Sequence, residues 1–353
     1  MTVPERMRLV GGTASSESAG GTRPTGAADA RTSLAANMNA ELFNADTEWT
    51  ILHGGALGDV VLTLQLALRI EALRRAKRIL LVSRVSLGNL SDCRPAIMHQ
   101  SSESAALSWL YRDDECVPPA RLYALVHDRC VLNALGAAGQ RAQARLARLE
   151  PARVLSIDPR PDVNSQLHIT EQWAEQLRSQ SVALDADPDR PRFQTPASMR
   201  NVCVQRPIVI HPGSGGRDKC WPLDNFITVA NELRAAGRKV VFLLGEAELE
   251  RWSRIDELRR AFSLITMPNA DTLTRLLAEC ALLLGNDSGP SHLAALVAAP
   301  TLTLFGPTSP DVWRPLGPAA RVIAGDPMHD PRDWRIEPAA VVEQVLRVLD
   351  STA

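Results

Sequence analysis

The sequence predicts an α/β protein made of two doubly wound, Rossmann-like parallel-sheet domains that face each other across a cleft. Three observations predict it. A strand, a glycine-rich turn, a helix and a second strand follow one another from residue 50. The same pattern restarts at residue 208, and a proline-crowded stretch separates the two. Parallel strands need crossover helices, so alternation of this kind reads as βαβ units in a parallel sheet.

Residues 1–46 carry Ala, Gly, Ser and Thr with no steady apolar period, and read as a disordered extension. Met1 to Gly12 lacks the continuous apolar stretch of a signal peptide. The first domain is expected over 47–190. Thr50–His53 reads as a buried strand, Gly54–Gly58 as the turn, Asp59–Arg75 as a helix with one broad apolar face, and Arg78–Val82 as the next strand. Further on, Ala105–Tyr111, Leu122–Ala147 and Ile169–Ser179 read as mostly helical, and Arg153–Ile157 as a strand.

A linker is expected at 191–206, within the run that holds Pro188, Pro191, Pro196 and Pro207. The second domain is expected over 207–335. Its predicted strands are Ile208–Ile210, Val240–Leu244, Ala281–Leu284, Thr301–Phe305 and Arg321–Ala324. Its predicted helices are Asp224–Ala236, stopped by Gly237, then Glu246–Arg260, Leu273–Glu279 and Ser291–Ala298. An amphipathic helix closes the chain within 336–353.

Composition narrows the function. The chain has 353 residues, 45% of them hydrophobic, enough for two cores. Lys and Arg number 39 against 40 Asp and Glu, so no basic excess points to nucleic acid. Six cysteines without a C-x-x-C pair signal neither zinc nor a disulfide scaffold. No stretch of 18 apolar residues is present to span a membrane.

Four segments carry candidate chemistry, each at the carboxyl end of a predicted strand, where ligands bind in such sheets. In His53-Gly54-Gly55-Ala56-Leu57-Gly58-Asp59, glycines let the backbone approach a ligand and Asp59 sits at a helix start. There a carboxylate serves equally well as a cap. The spacing is not the dinucleotide G-x-G-x-x-G, which disfavours a dehydrogenase. His211-Pro212-Gly213-Ser214-Gly215-Gly216-Arg217-Asp218-Lys219 offers backbone amides and two cations to a diphosphate, or is a solvated turn. Gly285-Asn286-Asp287-Ser288-Gly289-Pro290-Ser291-His292 opens a helix whose first amides suit an anion. There His292 and Asp287 are ligand contacts, or a packed histidine and a cap. Leu304-Phe305-Gly306-Pro307-Thr308 ends a strand in a rigid turn.

Taken together these blocks resemble glycosyltransferase family 9, whose best-known members are ADP-heptose:lipopolysaccharide heptosyltransferases. The matching pieces are Gly-Ala-Leu-Gly-Asp at 55–59, Arg-Asp-Lys-x-Trp-Pro at 217–222, Gly-Glu-Ala-Glu at 245–248, Asn-Asp-Ser-Gly-x-Ser-His-Leu at 286–293 and Leu-Phe-Gly-Pro-Thr at 304–308. The resemblance implies the GT-B architecture, with the acceptor on the amino domain, the nucleotide sugar on the carboxyl domain, and the last helix packing back on the amino domain. It implies an inverting transfer that needs no metal or other cofactor. It makes Asp59 the general base, beside the acceptor-side loop glycines Gly55 and Gly58, and makes Lys219 the stabiliser of the departing diphosphate. It puts Ser214, Gly215, Arg217, Glu248 (with Glu246 as fallback), Asp287, Ser288, Gly289 and His292 on the donor.

The expected partners are a nucleotide sugar and a glycan or glycolipid acceptor, in the cytoplasm, with room for peripheral contact at the inner membrane face. Arg69, Arg74, Arg75, Lys77 and Arg78, and Arg141, Arg145, Arg148 and Arg153, could steer an anionic acceptor or simply line solvated helix faces. Asp185-Ala186-Asp187, in the proline-crowded stretch around the linker, reads as solvated charge rather than a metal motif. A nucleotide-sugar epimerase and a non-catalytic sugar-nucleotide binder are the competing functions.

Overall fold

The computed structural model describes residues 47–74, 76–86, 88–90, 96–102, 108–112, 116–136, 139–184, 206–326 and 334–352. The expected amino-terminal extension, and nearly all of the linker with Asp185 and Asp187, lie outside the described residues.

The first sheet contains β1 (Glu48–His53), β2 (Arg78–Ser83), β3 (Ile97–Ser101), β4 (Cys130–Ala134) and β5 (Arg153–Ser156). Its helices are α1 (Leu57–Arg74), α2 (Ala120–Val126), α3 (Gly139–Ala147) and α4 (Ile169–Ser179). The second contains β6 (Ile208–His211), β7 (Val240–Leu244), β8 (Ser263–Thr266), β9 (Leu282–Asn286), β10 (Thr301–Phe305) and β11 (Ala320–Ala324). With it go α5 (Leu223–Ala235), α6 (Glu246–Arg251), α7 (Ile255–Ala261), α8 (Ala270–Glu279), α9 (Gly289–Leu296), the short α10 (Pro310–Trp313) and α11 (Pro338–Thr352). Gly237 takes the left-handed conformation, φ 75°, just past α5.

The strand orders are β3-β2-β1-β4-β5 and β11-β10-β9-β6-β7-β8, and the pairings are parallel. In each sheet the order reverses beside the first strand, between β1 and β4 and between β6 and β9. The crevice at such a reversal is where open α/β sheets bind ligands. The loops after β1, β6 and β9 therefore carry the candidate residues.

Three expectations change. The middle of the first domain, read as helix over Leu122–Ala147, holds a strand. Cys130, Val131 and Leu132 are buried on both faces in β4, and a short apolar run of that kind has no period to separate it from helix. The expected helix Glu246–Arg260 is two helices. The chain leaves α6 at an extended Trp252, whose ring packs on the second sheet's core. Among the described residues, the last helix packs on the second domain rather than the first. Val341, Val345 and Leu349, four residues apart, form an apolar stripe on α11 that packs beside Phe226, Val229 and Leu233 of α5. Buried Trp334 and Ile336 hold the preceding chain in the same cluster.

The two sheets share one apolar cluster. It runs from Ile51 and Val60 through Leu57 of α1 to Leu293 and Ala294 of α9 and Leu277 of α8. Packing of α1 against α9 joins the halves directly, so the cleft between the sheets is partly closed.

Candidate active site

The turn after β1 is tied by side chains at both ends. The Gly55 N–H donates to His53 Nδ1 at 2.9 Å, and the Ala56 N–H donates to Asp59 Oδ2 at 3.0 Å. Asp59 thus acts as a cap, reaching back from the third helical position to an orphan amide. A Cβ on Gly55 would overlap Asp59 Oδ2 and lie 2.6 Å from His53 Cε1, so only glycine fits between the two side chains. His53 is buried, which pushes its imidazole pKa down from 6.5, while the Asp59 charge pulls it up.

On the second domain, buried Asn286 organises the loops. Its Nδ2 donates to the Pro212 carbonyl at 2.8 Å, and its Oδ1 accepts from the Trp221 N–H at 3.1 Å. Next to it the Asp287 carboxylate gathers the polar side chains. Lys219 Nζ donates to Oδ2 at 2.8 Å, Thr308 Oγ1 donates to Oδ2 at 2.9 Å, and His292 Nε2 stands 3.7 Å from Oδ1. Ser214 Oγ donates to the Asp287 carbonyl at 2.7 Å. Burial acts to raise the Asp287 pKa, yet His292 and Lys219 outweigh it and hold the group at about 2. Lys219 also stands 5.7 Å from the centroid of the Trp313 ring.

A cavity of about 380 Å³ opens beside this network, in the range of ligand pockets. One wall is Ala56, Leu57 and Gly58 from the first domain. The opposite wall is Ser214, Gly215, Ser288 and Gly289. Met267, Pro268 and Leu273 make an apolar end, and Glu246 and Glu248 border the cavity. Glu248 is buried; its Oε2 accepts the Gly245 N–H at 2.7 Å and so closes the start of α6. Buried His211 donates from Nδ1 to the Leu243 carbonyl at 3.0 Å. Burial lowers its pKa, against the pull of Glu248 and of that carbonyl.

The two domains meet at the mouth of the cavity. A Cβ on Gly289 would come within 2.7 Å of Leu57 Cβ, so the start of α9 can abut the start of α1 only as glycine. Beside this contact, His168 Nε2 bonds the Arg314 carbonyl at 3.0 Å, and Gln65 Nε2 donates to the Leu316 carbonyl at 3.0 Å. Burial brings the His168 pKa to about 3, so the ring is neutral and donates from Nε2.

The structure therefore gathers most of the expected residues. Gly58, Ser214, Gly215, Glu248, Ser288 and Gly289 line the cavity; Lys219, Asp287 and His292 form the charged network; Gly55 and Asp59 form the facing turn. Arg217 is exposed on a short turn, away from the cavity lining. Sequence reasoning missed His53, His211, Asn286 and Thr308 as site residues, although all four lie inside the motifs it singled out.

The basic segments divide differently from expectation. Arg69 is buried, bonded to Glu171 Oε1 at 2.5 Å and to the Leu184 carbonyl at 2.7 Å, and faces no acceptor. Arg145 donates to the Trp109 carbonyl and sits 4.6 Å from that ring's centroid, and Arg153 bonds the Gln180 carbonyl. Among the described residues no group of three or more His, Cys, Asp or Glu converges as metal ligands, and no helix is long and apolar enough to cross a membrane.

Residues 131–335 match glycosyltransferase family 9 (heptosyltransferase). Lipopolysaccharide heptosyltransferase 3 of Escherichia coli K12 is 32% identical over 114 residues, 31% of this chain and 33% of its own length. The chain thus matches about a third of that relative's length. Among solved structures, the E. coli heptosyltransferase WaaC with ADP has a TM-score of 0.62 at 18% identity, covering 86% of this chain and 100% of that one. The iron-containing dodecameric glycosyltransferase TibC of enterotoxigenic E. coli H10407 has a TM-score of 0.57 at 15% identity, covering 88% and 80%. These structural likenesses are to the GT-B fold.

Proposed function

The chain belongs to glycosyltransferase family 9, and on that premise we propose that it transfers heptose, with inversion, from ADP-heptose to a lipopolysaccharide-core-like glycan. The carrying observation is the cavity between the β1–α1 turn and the loops after β6 and β9, with Asp59 on the first of these turns and Lys219 on the loop after β6.

In this reading the nucleoside lies toward Met267, Pro268 and Leu273, with Glu248 at its ribose. The diphosphate lies against Ser214, Gly215 and the first amides of α9, where a helix start favours an anion. Asp59 takes the proton of the acceptor hydroxyl as that oxygen bonds to the anomeric carbon. The bond from that carbon to the diphosphate breaks on the opposite face, and ADP leaves with the electron pair. Lys219, held by Asp287, offsets the charge that develops on the leaving oxygen. The Asp59 oxygen that does not cap Ala56 is the one free to act as base.

The reading includes no catalytic metal, and it puts the reaction in the cytoplasm at the inner membrane face, where a lipid-linked acceptor is made. It rests on the names of relatives for the sugar and the nucleotide, and on the family resemblance for the residue roles, with which the placement of these residues around the cavity agrees.

Calorimetric titration with ADP, UDP, GDP and ADP-heptose, with and without EDTA, tests it. Preference for ADP and its heptose that survives EDTA supports the proposal. Preference for UDP or GDP discards heptose, and binding lost in EDTA discards metal independence. Asp59→Asn is expected to abolish transfer while ADP-heptose still binds. Loss of binding in the folded variant would make Asp59 a donor contact instead. Donor turnover without any acceptor would favour the epimerase alternative.

A further inference from the structure

The β1–α1 turn presents the proposed base, and its second tether is the buried side chain of His53. The Gly55 N–H donates to His53 Nδ1, so that nitrogen is unprotonated and the ring's proton is on Nε2. Among the described residues, Nε2 is buried without a hydrogen-bond partner. Gly55 and Ala56 are consecutive amides, one tied to His53 and the other to Asp59, and Gly55 is flanked by both side chains. Loss of the Gly55 bond frees the stretch of backbone against which the Asp59 carboxylate is set.

We infer that His53, in its neutral Nε2–H form, is a positioning residue that fixes the β1–α1 turn and thereby aims the Asp59 carboxylate. The inference rests on the proposed role of Asp59 as base. A doubly protonated ring has no lone pair at Nδ1, so protonation breaks the Gly55 bond. Among the described residues Asp59 is the charged group that acts on the ring; α4 sets the uncharged Trp173 ring against it, 6.3 Å between centroids. Burial favours the neutral form and the Asp59 charge opposes it, and burial is the larger effect. Turnover therefore falls as pH drops through the His53 titration, below 6.5.

Two variants separate positioning from packing. His53→Asn keeps an acceptor, Oδ1, at the same number of bonds from Cα as Nδ1, and it does not titrate. His53→Leu keeps apolar bulk and loses the acceptor. Transfer from ADP-heptose is measured from pH 4.5 to 9 for the wild type and both variants, with donor affinity by calorimetry. His53→Leu is expected to lower kcat by roughly tenfold to a hundredfold, the scale of a misplaced catalytic group, with donor affinity unchanged. His53→Asn is expected to restore most of kcat at neutral pH and to move the acid limb to lower pH. Wild-type kcat in His53→Leu, or a wild-type acid limb in His53→Asn, overturns the inference. If His53→Leu does not fold, the acid limb of His53→Asn decides alone. Asp59→Asn is run alongside: full transfer there overturns the base assignment, whereas no transfer there with wild-type behaviour in both His53 variants overturns only the role of His53.

Discussion

Lys219 Nζ and Asp287 Oδ2 lie 2.8 Å apart, the lysine on the loop after β6 and the aspartate at the end of β9. The aspartate is buried, whereas the lysine side chain is about a third exposed. The pair fixes where the loop's cation stands, so Lys219 is a placed charge rather than a mobile one. Thr308 and His292 share the same carboxylate, so the loops after β6 and β10 and helix α9 converge on Asp287.

Asp287→Asn should remove an acid-sensitive part of the stability. The folded-state pKa is about 2, below the unfolded value. Such a group contributes stability that is present above the unfolded pKa and lost as pH falls through the folded one. The contribution is on the order of 2 kcal/mol at neutral pH, lost between roughly pH 4 and pH 2. Urea unfolding across that window should give a steeper decline for the wild type than for Asp287→Asn. Parallel curves would mean that the carboxylate's charge does not stabilise the fold.

The site was legible where a motif and a strand end coincide. Asp287, Ser288, Gly289 and His292 fall within one six-residue stretch, and the strand before them is an apolar run followed by glycine, so both position and neighbourhood could be read. The hydrogen bonds that join separate loops were not legible, because Asn286 to Pro212, or Lys219 to Asp287, spans about 70 residues of chain with no local signal. In the fold, the alternation of the second domain was readable because its central strands are buried and carry short apolar runs such as Ile208–Ile210, Val240–Leu244 and Leu282–Leu284. Edge strands β3 and β8 were not, since Met98-His99-Gln100 and Ser263 to Thr266 are polar or half exposed. The direction taken by α11 was hidden as well, because its apolar stripe would suit a groove on either domain.

Gly289→Ala should loosen the contact between the domains. The new Cβ would press on Leu57 Cβ at 2.7 Å and on the Gly58 nitrogen at 3.1 Å, both at the cavity wall. Overpacking of this kind costs about 1–3 kcal/mol. Thermal unfolding should shift down and ADP affinity should weaken together. Gly54→Ala, whose Cβ would meet only Leu135 at 3.9 Å, should leave both unchanged. Equal behaviour of the two variants would remove the case for a glycine-dependent contact.

Arg69 should prove structural and not a steering charge. Glu171→Ala leaves its buried guanidinium without an anion. The loss should be about 2–4 kcal/mol, somewhat below that for a fully buried pair because Glu171 is 29% exposed. Arg69→Met fills the space without a charge and should cost less. Neither should alter the salt dependence of acceptor KM. A KM that rises in Arg69→Met and loses its salt dependence would return Arg69 to the acceptor side.

Glu248 and Glu246 both border the cavity, and burial separates them. Glu248→Ala removes a carboxylate that closes α6 and faces His211, so two effects are expected. The lost cap should cost about 1 kcal/mol of stability. Donor affinity should fall, because the buried wall at the proposed ribose position loses its acceptor oxygens. The same change removes the one influence from a charged side chain that raises the His211 pKa, so the imidazole should stay neutral to still lower pH. Glu246 is exposed, and Glu246→Ala should change donor affinity little. Calorimetry of ADP and ADP-heptose on both variants, with unfolding measured in parallel, checks the order. A larger affinity loss in Glu246→Ala would move the ribose contact to the rim and leave Glu248 with the helix cap alone.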